Sequence, residues 1–159
     1  MSSFPVKIAR ANPEQDIIVA RHFYQLWLDN HVPPDLIRDD WLHTTVKFIQ
    51  NARRELQFQA FVAQIEHQII GSVSCQLYAG LYPSPFQIQH RHYGYIWNVY
   101  VDAKYRRQGI ATKLTQAAVE HLKSLHCTKA VLNASPTGKP VYEKLGFMPG
   151  NEMVLNLID

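Results

Sequence analysis

The stretch that most constrains the fold covers residues 93–125. It opens on a β-branched and aromatic run, Tyr93-Gly94-Tyr95-Ile96-Trp97-Asn98-Val99-Tyr100-Val101, and passes through the basic turn Arg106-Arg107-Gln108-Gly109-Ile110-Ala111. Ile110, Leu114, Ala117, Ala118, His121, Leu122 and Leu125 then recur at helical spacing. A strand that enters a helix through a glycine turn leaves the first helical N–H groups unbonded, with a partial positive charge. Gly109 and Ala111 carry too little bulk to keep an anion away, so the turn is a candidate pyrophosphate cradle. On the turn alone, an ordinary strand-to-helix connection is an equal alternative.

The flanking chain supplies the other layers. Residues 6–9 alternate like a short edge strand, and Asn12-Pro13-Glu14-Gln15 offers an N-cap, a proline for the first turn and a capping-box glutamine. Ile17, Ala20, Tyr24, Trp27 and Leu28 form the apolar stripe of the helix that follows. After Pro33-Pro34, Asp35 is positioned to cap a second helix reaching about Arg54, with Ile37, Trp41, Phe48 and Ile49 on one face. Residues 58–65 and 69–78 read as a hairpin around Glu66-His67-Gln68, and residues 79–92 as a long loop. Beyond the long helix, residues 130–134 predict a buried strand parallel to the fourth. Pro140 opens a short helix that Gly146 ends, and residues 153–157 predict a closing strand.

Size and charge narrow the function. A chain of 159 residues is one domain, 1–159, large enough for a core without disulfides. Its net charge of +3 forms no basic stripe, so nucleic acid is not expected as a partner. No run reaches the roughly 18–20 apolar residues of a membrane helix, and the first residues lack a signal-peptide core. Cys75 and Cys127 sit in apolar-periodic segments, which fits reduced thiols and a cytoplasmic location.

Two separated motifs resemble the GNAT superfamily of acetyl-CoA-dependent N-acyltransferases. One is Asn98-Val99-Tyr100-Val101-Asp102 with Arg106-Arg107-Gln108-Gly109-Ile110-Ala111. The other runs from Leu132-Asn133-Ala134 to Tyr142-Glu143-Lys144-Leu145-Gly146-Phe147. The resemblance implies an α/β fold: a central, mostly antiparallel sheet whose parallel fourth and fifth strands splay apart, flanked by helices. The pantetheine arm of acetyl-CoA would lie in that wedge, paired with the backbone of Val99 and Val101. By the same resemblance, the backbone of Arg107, Gln108, Gly109, Ile110 and Ala111 and the Thr112 hydroxyl would hold the pyrophosphate. Arg106 and Arg107 would add charge, or else belong to a solvated face. Asn133 would bond the cofactor arm or tie down its loop. Tyr142 would protonate the departing thiolate, and the Val99 N–H would hold the oxyanion. No metal is implied. Homodimers are common in the family.

The base is where this sequence departs from the pattern. Tyr95 stands where histone-type members carry a glutamate, and a phenol of reference pKa about 10 is a poor base at neutral pH. A water chain, His90 or His92, or an amine that arrives neutral are the open alternatives. Asp29, Asp35, Asp39 and Asp40 would suit a cationic acceptor, while Trp41, Tyr78, Tyr82, Phe86, Tyr93 and Trp97 would suit an apolar pocket. The leading expectation is direct acetyl transfer to a primary amine of a small molecule or peptide. A non-catalytic acyl-CoA-binding or sensing module is the alternative. A dinucleotide-binding protein is a poorer fit, because the full glycine fingerprint is missing.

Overall fold

The computed structural model describes residues 4–80 and 84–158. Its elements are β1 (Lys7–Arg10), α1 (Asp16–Asp29), α2 (Trp41–Glu55), β2 (Gln59–Ile65), β3 (Gln68–Leu77), β4 (Tyr93–Val101), α3 (Ile110–Ser124), β5 (Lys129–Val131) and α4 (Lys139–Lys144). The strands form one sheet in chain order, β1-β2-β3-β4-β5, antiparallel except for the last pair. This is the mixed sheet with parallel fourth and fifth strands that the sequence predicts.

One face of the sheet packs on α3. Ile70, Val73, Cys75 and Ile96 meet Leu114, Ala118 and Leu122 there. Gly94 permits the approach, because a Cβ at that position would lie 2.5 Å from a Leu122 methyl carbon. The opposite face carries α1 and α2 through Val19, Ile49, Ala52, Phe58 and Val62. Trp97 joins this second core, edge-on to Phe23 at 4.9 Å and to Phe48 at 5.8 Å. Between the two helices, the buried Asp16 carboxylate accepts from Arg53 Nη2 at 2.6 Å and Nε at 3.0 Å. Two parallel charge-assisted bonds offset the desolvation of both groups and fix the helix pair.

Local sequence explains most of the boundaries. Asn12 and Gln15 form the reciprocal cap, with the Gln15 N–H donating to Asn12 Oδ1 at 3.2 Å and the Asn12 N–H donating to Gln15 Oε1 at 3.0 Å. The cap closes a 3₁₀ turn, Pro13–Gln15, and α1 proper follows it. The expectation that Asp35 caps the second helix is corrected. Asp35 lies within another 3₁₀ turn, Pro34–Leu36, and α2 starts only at Trp41. Asp40 precedes α2 without capping it, because Arg38 holds its carboxylate at 2.7 and 2.9 Å.

The C-terminal region also departs from expectation. β5 pairs with β4 only from Tyr93↔Lys129 to Tyr95↔Val131, so the strand predicted over 130–134 is displaced and shortened. Residues 152–158 form no strand, and Met153, Val154, Leu155, Leu157 and Ile158 are 80–94% exposed. A run of apolar side chains does not make a strand where no neighbour receives its backbone groups.

Candidate active site

The site begins with a change of phase in β4. In an antiparallel ladder the main-chain N–H and C=O of one residue point to the same neighbour, and the direction alternates along the strand. The Tyr78 N–H donates to the Tyr93 carbonyl at 2.8 Å, so odd-numbered residues at the start of β4 face β3. At its far end the Asp102 N–H donates to the Ile70 carbonyl at 2.7 Å, and even-numbered residues face β3. The switch falls at Asn98, which has φ 54°. The register moves from Ser74↔Trp97 to Ser72↔Tyr100, leaving Asn98 and Val99 opposite Val73 as a β-bulge.

The bulge decides what lines the wedge. Counted back from Asp102, the main-chain groups of Val101 and Val99 point away from β3, toward β5. The β5 ladder has already ended at Val131, opposite Tyr95. Val99 and Val101 therefore present backbone to a gap rather than to a strand. Their side chains pack into the α3 core. The Val101 carbonyl is met by Arg106 Nε at 2.8 Å.

The turn after β4 is built for exposed amides. Arg107 has φ 61° and Gly109 φ 78°, and Arg107, Gln108 and Gly109 are solvent-exposed. The first helical bond runs from the Lys113 N–H to the Gly109 carbonyl at 3.1 Å, which leaves the amides of Ile110, Ala111 and Thr112 at the open end of α3. The buried Ile110 side chain anchors that end in the core. A Cβ on Gly109 would meet nothing within 4 Å, so the space above the turn is open. A doubly charged linker fits this surface by charge and by room. Arg106 is placed differently from Arg107. Its guanidinium pairs with Asp29 at the end of α1 as well as with the Val101 carbonyl, so its charge is already engaged by the protein.

Tyr142 of α4 is buried, with its ring against Gly138 and edge-on to Phe147 at 6.0 Å. Burial pushes the phenol above its ordinary pKa, which keeps it protonated at neutral pH. Asn133, just past β5, donates from Nδ2 to Tyr95 Oη at 3.1 Å. Neither cysteine suits acyl carriage: Cys75 is buried and its thiol is pushed up to about 12, and Cys127 is also raised by burial.

The acceptor side is less acidic than the composition suggests. Of the four aspartates named, Asp29 pairs with Arg106 and Asp40 with Arg38. Tyr78, Phe86 and Tyr93 line a recess of about 210 Å³ with Leu56, Leu77 and Ile88. Trp97 belongs to the core, Trp41 stacks on Tyr24 at 4.2 Å, and Tyr82 lies outside the described residues. His90 is exposed beside Phe86, and His92 anchors its strand through backbone bonds with Thr128.

A family model for the acetyltransferase (GNAT) family matches residues 20–147. The chain belongs to this family. Within it, the chain is 33% identical over 91 residues to N-alpha-acetyltransferase 30 of Xenopus laevis, covering 55% of this chain and 31% of that protein. It is 34% identical over 89 residues to glucosamine 6-phosphate N-acetyltransferase of Trypanosoma brucei brucei, covering 56% of this chain and 57% of the relative. The matched stretch thus spans less than two thirds of either curated relative. Among solved structures, a predicted acetyltransferase from Clostridium acetobutylicum, crystallised with acetyl-CoA, superposes with TM-score 0.78 at 25% identity, over 96% of this chain and 97% of that one.

Several residues of this GNAT site were not singled out by sequence reasoning. The left-handed conformation of Asn98 has a weak signal, since asparagine tolerates it better than other non-glycine residues. The same conformation at Arg107 has no compositional signal. Ser72, which bonds Asn98 under the bulge, and His22, which bonds Ser72, lie 50 residues apart and share no motif.

Proposed function

We propose that this GNAT protein transfers the acetyl group of acetyl-CoA directly to a primary amine of a small molecule or peptide. The observation that carries the proposal is the phase change at Asn98, which turns the backbone of Val99 and Val101 toward a gap beside β5. Next to it stands the exposed turn at the head of α3. Relatives named for N-alpha and for glucosamine 6-phosphate acetylation support an amine acceptor in general, without choosing one.

In this reading the pantetheine amides pair with Val99 and Val101, as an added strand would. The amides of Arg107 to Ala111 and the Thr112 hydroxyl hold the pyrophosphate, with Arg107 adding charge. Arg106 acts mainly through its bonds to Asp29 and Val101, and Asn133 borders the arm from the β5 side. The amine nitrogen attacks the thioester carbon, and the new oxyanion is held by the Val99 N–H. As the C–N bond completes and the C–S bond breaks, Tyr142 gives its phenolic proton to the leaving sulfur. The proton lost by nitrogen passes to water at Tyr95 Oη, and Tyr142 is reprotonated from solvent. The absence of a suitable cysteine nucleophile supports direct transfer.

A cytosolic setting is supported by two free thiols, and no helix among the described residues is long and apolar enough to cross a membrane. A homodimer is supported by the exposed apolar tail, which finds no strand of its own chain to join.

The test is thiol release from acetyl-CoA across a panel of amines, with mass detection of the product, in wild type and Tyr142→Phe. Acetylated amine formed by wild type and lost in the variant supports the enzyme. Tight acetyl-CoA binding with no product from any amine favours the sensing module instead.

A further inference from the structure

The bulge in β4 depends on one side chain that the reaction scheme does not use. Asn98 is 3% exposed, and its φ of 54° is a conformation that L-residues other than glycine enter at a cost. Its Nδ2 has two hydrogens and two acceptors: the Val19 carbonyl of α1 at 3.3 Å and Ser72 Oγ of β3 at 3.1 Å. A carbonyl can only accept, so the carboxamide is oriented with its nitrogen toward α1. Ser72 Oγ, receiving a hydrogen from Asn98, also bonds His22 Nδ1 at 2.8 Å. Burial lowers the His22 pKa to about 4, so the imidazole facing this pair is uncharged at neutral pH.

We infer that Asn98 is a positioning residue for acetyl transfer: its carboxamide, braced between the Val19 carbonyl and Ser72, holds β4 in the left-handed bulge that turns the Val99 amide into the wedge. The inference rests on the proposed oxyanion role of Val99. It follows from the change of phase. Without the extra residue, the ladder begun at Tyr93 would continue, and Val99 and Val101 would point their main-chain groups at β3. Asn98 Oδ1 is itself buried with no hydrogen-bond partner among the described residues, so the bonds that hold the side chain are the two made by Nδ2. The brace joins three elements, α1, β3 and β4, so the amide's direction is fixed before the donor arrives.

The test reads the amide itself. Infrared difference spectra of bound [1-¹³C]acetyl-CoA report polarisation of the thioester carbonyl, which a residue that only supports stability does not change once the protein is folded. In wild type, the bound carbonyl band should lie below its position in free acetyl-CoA. In Asn98→Val, whose branched side chain disfavours the left-handed region, the band should return toward the free position. Turnover with the best amine of the panel should then fall about 10²-fold, and the acetyl-CoA dissociation constant should rise as well, because the backbone of Val101 leaves the wedge together with that of Val99. Asn98→Gly enters that region freely but lacks the carboxamide, so its band should lie between those of wild type and Asn98→Val; a full wild-type shift in Asn98→Gly would assign the bulge to backbone preference alone and overturn the brace. A wild-type band position in Asn98→Val overturns the inference. Should that variant fail to fold, Ser72→Ala is read in its place: a partial return supports the brace, and an unmoved band overturns it. If wild type itself shows no shift, the oxyanion role of Val99 fails, and the inference with it. A shift present in wild type and unchanged in every variant refutes the positioning role alone.

Discussion

Asn133 donates to Tyr95 Oη at 3.1 Å across the place where β4 and β5 part. One residue stands where histone-type GNAT members place a glutamate, and the other ends the fifth strand. Joined, they bridge β4 and the end of β5 and hold the phenol oxygen in place, where the proposed scheme puts the water that takes the amine proton. Tyr95→Phe should lower kcat on the order of tenfold, with acetyl-CoA affinity unchanged, and Asn133→Ala should have a smaller effect of the same kind. Steady-state kinetics together with calorimetry separate the two quantities. Full activity in Tyr95→Phe would exclude a role for this oxygen in proton removal.

Tyr142→Phe removes a proton donor and leaves the packing nearly intact. Its kcat should drop about 10²-fold while the melting temperature stays close to wild type. Burial raises the Tyr142 pKa, so the protonated form active as an acid persists to higher pH than for a free phenol. The alkaline limb of the wild-type pH–rate profile should accordingly lie above the ordinary tyrosine value. A limb well below it points to a different titrating group.

His22 makes stability sensitive to acid. Burial lowers its pKa from 6.5 to about 4, only partly offset by the Asp102 carboxylate. Above pH 6.5 the imidazole is neutral in both states and contributes no slope. Between 6.5 and 4 the unfolded chain takes up a proton that the native protein refuses, so stability falls as pH falls. Below about 4 both states hold it and the loss levels off. The expected loss across this window is on the order of 3 kcal/mol. Denaturant titrations at several pH values should show it, and His22→Gln should flatten it. The same slope in the variant would assign the acid sensitivity to other groups.

Gly109 separates backbone strain from ligand contact. Its φ of 78° makes Gly109→Ala cost about 1–2 kcal/mol of stability, although the added carbon meets no protein atom. The methyl would project into the open space assigned to the pyrophosphate, so acetyl-CoA affinity should fall more than the affinity for a pantetheine thioester lacking the nucleotide. Gly109→Glu should abolish acetyl-CoA binding altogether. Calorimetry with both donors checks the contrast, and equal losses would move the pyrophosphate elsewhere.

The fold was readable where one segment carries its own instructions. The β-branched and aromatic run of β4, the stripe of α3 and the Asn12–Gln15 cap are local patterns, and each lies where those residues place it. What escaped the sequence depends on partners far along the chain. Asp35 is a good cap in isolation, yet the prolines before it set up a 3₁₀ turn, and Arg38 binds the aspartate next to α2. Residues 153–157 have the apolar composition of a strand but no edge among the described residues to join. Asp29 looked available to a cationic acceptor until Arg106, 77 positions on, was brought against it. Of the candidate site, the turn and Tyr142 were visible as motifs. The bulge was not, because a single left-handed asparagine leaves the composition of β4 unchanged.

The wedge is made by ending a ladder early, not by hollowing out the interior. Its walls at Val99 and Val101 are peptide groups, which every amino acid except proline supplies in full, while the valine side chains serve the α3 core. If the wedge holds the donor as proposed, substitutions that preserve the core can pass through it unnoticed by the ligand. Lineages sharing this architecture are free to rebuild the acceptor side around a donor grip that leaves little trace in side-chain identity.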